Sequence, residues 1–310
     1  MYLEIQDKTV LKIVNFFKIK NKNILFIIAF IEKFLDRCTH HHIYLISSGI
    51  AFNLILYIIP LIMIAIYVVG SLFGENSIIE FLSNTILRML PPNETTTKLL
   101  GTIISEANFI LTKSTLAGWL GLISLLWLSS ILFSSFRSGL NTVFAIKTPQ
   151  IFLVYRIRDM VLTIILTVLI LFMSWIAPLL SLMEQSALKY IPDFYDKIFS
   201  KFWVTGISLI TSTVLFFILF AFVPTNKISS KILYTSTFSC LVIIEISRRI
   251  FAWYIATLSN LGKFYGTYAI LISLAIWLYY MVLIILLIAE FWRLLYDVKE
   301  GRINDKYQKI

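Results

Sequence analysis

Glu245, Arg248 and Arg249 interrupt a long apolar run at 232–258, and no other apolar run carries charge through its middle. At i, i+3 and i, i+4 the three side chains share one helix face, so either guanidinium can reach the carboxylate. Two positive groups against one negative group leave a guanidinium without an anionic partner on that helix. An ionisable group within a membrane span costs about 2.5–3.5 kcal/mol on insertion scales, so it faces a cavity, a neighbouring helix or the interface. A guanidinium fork suits phosphate or carboxylate. Glu245, Arg248 and Arg249 are therefore the candidate substrate-binding residues, with both arginines expected to face the bundle interior. Two other uses stay open: one arginine snorkelling to the outer interface while the other pairs with Glu245, and a proton relay through Glu245.

Bond-breaking chemistry has less to build on. The histidines are consecutive, His40, His41 and His42. On a helix, adjacent side chains point about 100° apart, so they cannot hold one ion from one face. No acidic or cysteine cluster joins them, and they read as polar interface residues. Paired carboxylates, a phosphate-cradling glycine loop and a serine nucleophile motif are not evident. No catalytic residue, metal site or cofactor is expected. Glu290, with Arg293 at i+3, reads as a surface ion pair at the end of the last apolar run.

The elements that must position these groups are helices. The chain has 310 residues, of which 59% are hydrophobic and 14% charged, against about 25% charged in a soluble domain. Apolar runs at about 43–73, 115–136, 160–183, 202–223, 232–258 and 267–290 are each long enough to cross a hydrocarbon core, which takes roughly 20 residues. The expected fold is all-α: a polytopic membrane protein with six transmembrane helices spanning 43–292, plus interfacial amphipathic helices. Residues 1–42 form an N-terminal segment and residues 293–310 a tail. Amphipathic stretches at 10–19, 24–35, 77–90 and 95–110 suit helices on the membrane surface, the second leading into the first span as an elbow. No cleaved signal is expected, and the first span would serve as the insertion signal. Pro60 and Pro178 should kink their helices. Gly118, Gly121, Ser129, Ser130, Ser134 and Ser135 mark a small-residue packing face.

The net charge of +10 follows topology. Eighteen Lys and Arg side chains fall on the side holding both termini, and 7 on the other. The positive-inside rule then places both termini in the cytoplasm. Partners are expected to be membrane lipids, including an anionic lipid or amphipathic substrate, and envelope proteins. The basic excess reads as attraction to anionic lipid rather than to nucleic acid, because no basic stripe with stacking aromatics lies in an aqueous module. Cys38 and Cys240 read as free thiols.

Several segments together carry a family resemblance. The first run reads SGIAFNLILYIIPLIMI, the second SLLWLSSILFSSFRSGLN, and the fourth ends FAFVPTNKI. The last third holds Tyr254, Asn260, Tyr265, Gly266, Thr267, Tyr268, Trp277 and Glu290 in order. The progression resembles the YihY/BrkB family of bacterial inner-membrane proteins, over about residues 44–296. That resemblance implies six helices with cytoplasmic termini. Members have been labelled ribonuclease BN, and others are associated with serum resistance or envelope lipid handling. Pro60, Asn260, Tyr265, Gly266, Tyr268 and Glu290 are candidate structural or gating residues. The functions weighed are a transporter or flippase-like protein for an anionic amphipathic envelope molecule, and a non-transporting scaffold for partner proteins. The ribonuclease reading is set aside for want of residues that could do the chemistry.

Overall fold

A chain this apolar must satisfy its backbone internally wherever lipid replaces water, and helices do so within one segment. The computed structural model describes residues 22–73, 101, 104–105, 114–146, 154–165, 193–257 and 268–300. Seven helices run through them: α1 Lys22–His40, α2 Ile43–Phe73, α3 Ser114–Val143, α4 over 154–165, α5 Asp193–Phe222, α6 Ser230–Thr257 and α7 Tyr268–Lys299. Four described helices are long and apolar enough to cross a membrane, at Ile43–Ile64, Trp119–Val143, Ser230–Phe251 and Ile272–Lys299. The fourth expected span is represented by the shorter apolar stretch Leu209–Phe222. Most of the third, at 160–183, lies outside the described residues, as do the surface helices expected at 10–19 and 77–90 and most of that at 95–110.

The α2–α3 pair is the most extensive packing, and α7 lies against both α2 and α6. Helix α5 packs on α6, while α1 docks on α7 and α2. Small residues set the approach of α3. Gly121 faces Met63 and Ile64, and a Cβ on it would sit 3.2 Å from Ile64 Cγ1. Gly139 is tighter: a Cβ there would fall 2.9 Å from Ile46 Cγ2 and 3.5 Å from Leu286 Cδ2. Both belong to the class of positions where only the smallest side chain lets helices meet. Ser129 and Ser130 are buried on the same helix. Asn53 Nδ2 donates to Ser135 Oγ at 2.8 Å, which pins α2 to α3. Trp292 Nε1 donates to Ser239 Oγ at 2.9 Å and joins α7 to α6. Apolar side chains such as Leu140, Phe220, Val282 and Leu286 fill the seams.

Helix α2 continues through Pro60 to Phe73. Its elbow with α1 is tight: His42 takes φ 51°, and its N–H bonds the carbonyl of Thr39 at 3.0 Å. Helix α3 ends in the same left-handed way. Ala145 has φ 52°, Ala145 N–H donates to Thr142 and Ile146 N–H to Asn141. This is the Schellman stop usually given to glycine.

Candidate functional site

The three charges of α6 come together as their spacing requires. Arg248 donates from Nε to Glu245 Oε2 at 3.1 Å and from Nη2 to Oε1 at 2.8 Å. Arg249 Nε reaches the same Oε1 at 3.3 Å. Both guanidiniums thus share one carboxylate, where a single pair and a free arginine were the alternative. Their direction differs from expectation. The Arg248 and Arg249 side chains are 61% and 74% exposed, against 23% for Glu245. They point outward from the bundle, on a stretch of α6 where Ile246, Ile250 and Trp253 are exposed as well. The cause lies in packing: the first half of α6 buries Ile232, Ser236 and Cys240, whereas over 241–250 every side chain is exposed or half-buried.

The buried charge lies elsewhere, at the end of the bundle where α1 turns into α2. Glu290 is completely buried, not part of a surface pair. Arg37 Nε lies 2.6 Å from Glu290 Oε1, a close ion pair with the N–H aimed off the line to the oxygen. His41 Nδ1 contacts Glu290 Oε2 at 2.7 Å. Arg37 Nη1 also donates to Asp297 at 3.0 Å. Arg293, the partner expected for Glu290, instead sits 3.2 Å from Asp297 one turn further along α7. The last turn of α1 supplies Arg37, the elbow supplies His41, and α7 presents Glu290 and Asp297 two turns apart on one face. His41 is therefore a buried partner and not an interface residue, while His40 and His42 stay exposed on either side of it.

Cys38 lies beside this network. Burial pushes its thiol up to about 12, the Glu290 carboxylate adds to the shift, and Arg37 opposes it. Cys38 and Cys240 are free and buried. Among the described residues no group of three or more His, Cys, Asp or Glu is placed to hold a metal ion.

A second buried pair joins α3 to α4, through Arg137 and Asp159. Sequence reasoning treated Arg137, Arg156 and Arg158 only as topological charge. The signal was available in Asp159, a carboxylate at the entry to an apolar run with two arginines just before it. Glu290 carried a similar signal as the only acidic residue in α7 before Asp297. Of the structural or gating candidates, Pro60 is buried within α2 and Glu290 anchors the network. Tyr268 begins α7. Asn260, Tyr265 and Gly266 lie outside the described residues.

A family profile described as virulence factor BrkB matches residues 34–308. The chain belongs to the BrkB family. The matched region takes in Arg37, His41, Arg137, Asp159 and Glu290, so the buried pairs of this BrkB protein lie within the family's own region. A UPF0761 membrane protein of Pseudoalteromonas atlantica is 22% identical over 270 residues, covering 84% of each chain. Another, from Aggregatibacter aphrophilus, is 22% identical over 280 residues, covering 89% of this chain and 95% of its own. "Putative ribonuclease-like protein YfkH" of Bacillus subtilis is 25% identical over 185 residues, which is 58% of this chain and 66% of that protein. No solved structure matches. This BrkB-family chain is accordingly a multi-pass membrane protein.

Proposed function

We propose that this BrkB-family protein is a six-span bundle of the bacterial inner membrane with both termini cytoplasmic. In this reading it handles an anionic amphipathic envelope molecule as a transporter or flippase-like protein and performs no bond chemistry. One observation carries it: two arginines in an apolar helix share a single carboxylate and turn outward, leaving positive charge at the bundle surface. At 1.5 Å per residue, Arg248 lies about 26 Å along α6 from Lys231. An anionic headgroup arriving from the far leaflet can meet the guanidiniums there while its chains stay in lipid. Loading is therefore lateral, from the bilayer, and needs no deep aqueous cavity lined by these residues.

The second reading, a non-transporting scaffold, draws on the apolar filling of the described helix seams. Reconstitution separates the two. The purified protein in phosphatidylcholine vesicles should accelerate transbilayer movement of a fluorescent phosphatidylglycerol over that of the matching phosphatidylcholine. The R248Q/R249Q variant should lose that preference by about tenfold, equivalent to 1.4 kcal/mol, with little change in melting temperature. If wild-type vesicles move neither lipid faster than protein-free ones, transport is wrong and the scaffold reading stands.

A further inference from the structure

The end of α3 and the start of α4 gather three arginines around one acidic residue. Arg137, on α3, is 6% exposed and donates from Nη2 to Asp159 on α4. Arg158 donates from Nη2 to the carbonyls of Val223 and Pro224, at 3.0 and 3.2 Å, just beyond α5. The guanidinium carbons of Arg137 and Arg158 lie 4.9 and 5.3 Å from the centre of the Tyr155 ring. They are near enough for Arg158 to feel the charge of Arg137. Arg156 reaches back to α3, donating from Nε to Ser130 Oγ at 3.0 Å and lying 4.8 Å over the Trp127 ring. Asp159 feels all three arginine charges. Arg137 and Arg158 beside the single carboxylate of Asp159 leave surplus positive charge.

Two N–H groups in this cluster are buried with no hydrogen-bond acceptor: Arg137 Nη1 and Arg158 Nε. Buried polar groups are nearly always bonded, so an orphaned donor signals a missing partner. Here two such donors occur on neighbouring guanidiniums that already carry surplus positive charge, so the missing partner is an anion. Guanidinium forks match the oxygens of a phosphate, with the charge assisting each bond. The flank is apolar and open: Val154, Ile157 and Val161 on α4 and Trp127 on α3 are all more than half exposed or at half exposure. Acyl chains can lie along such a flank while the phosphate reaches the arginines.

We propose that Arg137, Arg156 and Arg158 form a phosphate-binding site at the α3–α4 junction, taking the phosphate of a net-anionic lipid headgroup or inorganic phosphate free in solution. It lies toward the opposite end of the bundle from Arg248 and Arg249 and does not depend on the function proposed for them. The aromatic faces of Tyr155 and Trp127 hold the guanidiniums in place without consuming their N–H donors. Asp159 fixes Arg137 in place and offsets one of the positive charges.

The test uses the full-length protein purified in neutral detergent and chloride buffer. Inorganic phosphate is titrated in one arm. In the other, the protein is placed in phosphatidylcholine nanodiscs with or without phosphatidylglycerol at about 20% by mole, enough to give the bilayer a negative surface potential. Thermal melting is the readout, and R156Q and R137Q/D159N are compared with wild type. R156Q keeps the Arg137–Asp159 pair and the Arg158 carbonyl bonds, so it decides the matter if the double variant does not fold. The wild type should be stabilised by at least one probe, and R156Q should weaken that response about tenfold, or 1.4 kcal/mol. Stabilisation by phosphatidylglycerol alone assigns the group to lipid, and stabilisation by inorganic phosphate alone assigns it to a soluble ligand. No response in the wild type, or an equal response in folded R156Q, overturns the site.

Discussion

Replacing Glu290 with alanine should cost far more than the same change at Glu245, although Glu245 is the more conspicuous charge in the sequence. Glu290 is completely buried and carries contacts from Arg37 at 2.6 Å and His41 at 2.7 Å. Removing one partner of a buried pair costs about 3–5 kcal/mol, because it strands the other. Arg37 keeps Asp297 at 3.0 Å, which places the loss near the lower end, about 3 kcal/mol. At about 2 °C per kcal/mol for a chain of this size, the melting temperature should fall by about 6 °C. Glu290→Gln should show most of the same loss, because it preserves volume and removes the charge. Glu245→Ala removes an exposed pair whose arginines can extend to water or headgroups, at about 0–1 kcal/mol and less than about 2 °C. Intrinsic tryptophan fluorescence during heating, in one detergent for all variants, measures the difference. If Glu245→Ala falls as far as Glu290→Ala, the assignment of the buried anchor to Glu290 is wrong. A Glu290→Gln variant as stable as wild type would show that the network's charge is not what holds α1 to α7.

Gly139→Val should destabilise the bundle by about 1–3 kcal/mol through overpacking, since its Cβ would fall 2.9 Å from Ile46 Cγ2; the corresponding change at Gly49, which faces open space, should melt close to wild type and serves as the control. For Cys38, a raised folded value means that the folded state holds its proton where the unfolded state has lost it. The stability this contributes is complete below about 9 and declines as pH rises toward about 12, with a slope of about 1.4 kcal/mol per pH unit. Unfolding titrations of wild type and Cys38→Ser at pH 8 and 10.5 should show the steeper loss in wild type, and equal slopes would refute the linkage.

Composition and run length were enough to determine that the chain is helical and lies in a membrane, because hydrocarbon admits few backbone arrangements and long uncharged runs satisfy them locally. The spacing of Glu245, Arg248 and Arg249 likewise determined that they pair, since i, i+3 and i, i+4 contacts belong to a single helix. Their outward direction did not follow from spacing. It depends on where along α6 the neighbouring helices pack, and an almost uniformly apolar helix carries little signal to say so. Arg37, His41 and Glu290 were legible only as separate residues, about 250 positions apart at the extremes. Their meeting is decided by the tight elbow at His42 and by the seat of α1 on α7. The same holds for Arg137, Asp159 and Arg158, each of which reads from sequence as a loop charge. Only the packing of α4 against α3 and the end of α5 removes them from water, and burial is what turns a loop charge into a required partner.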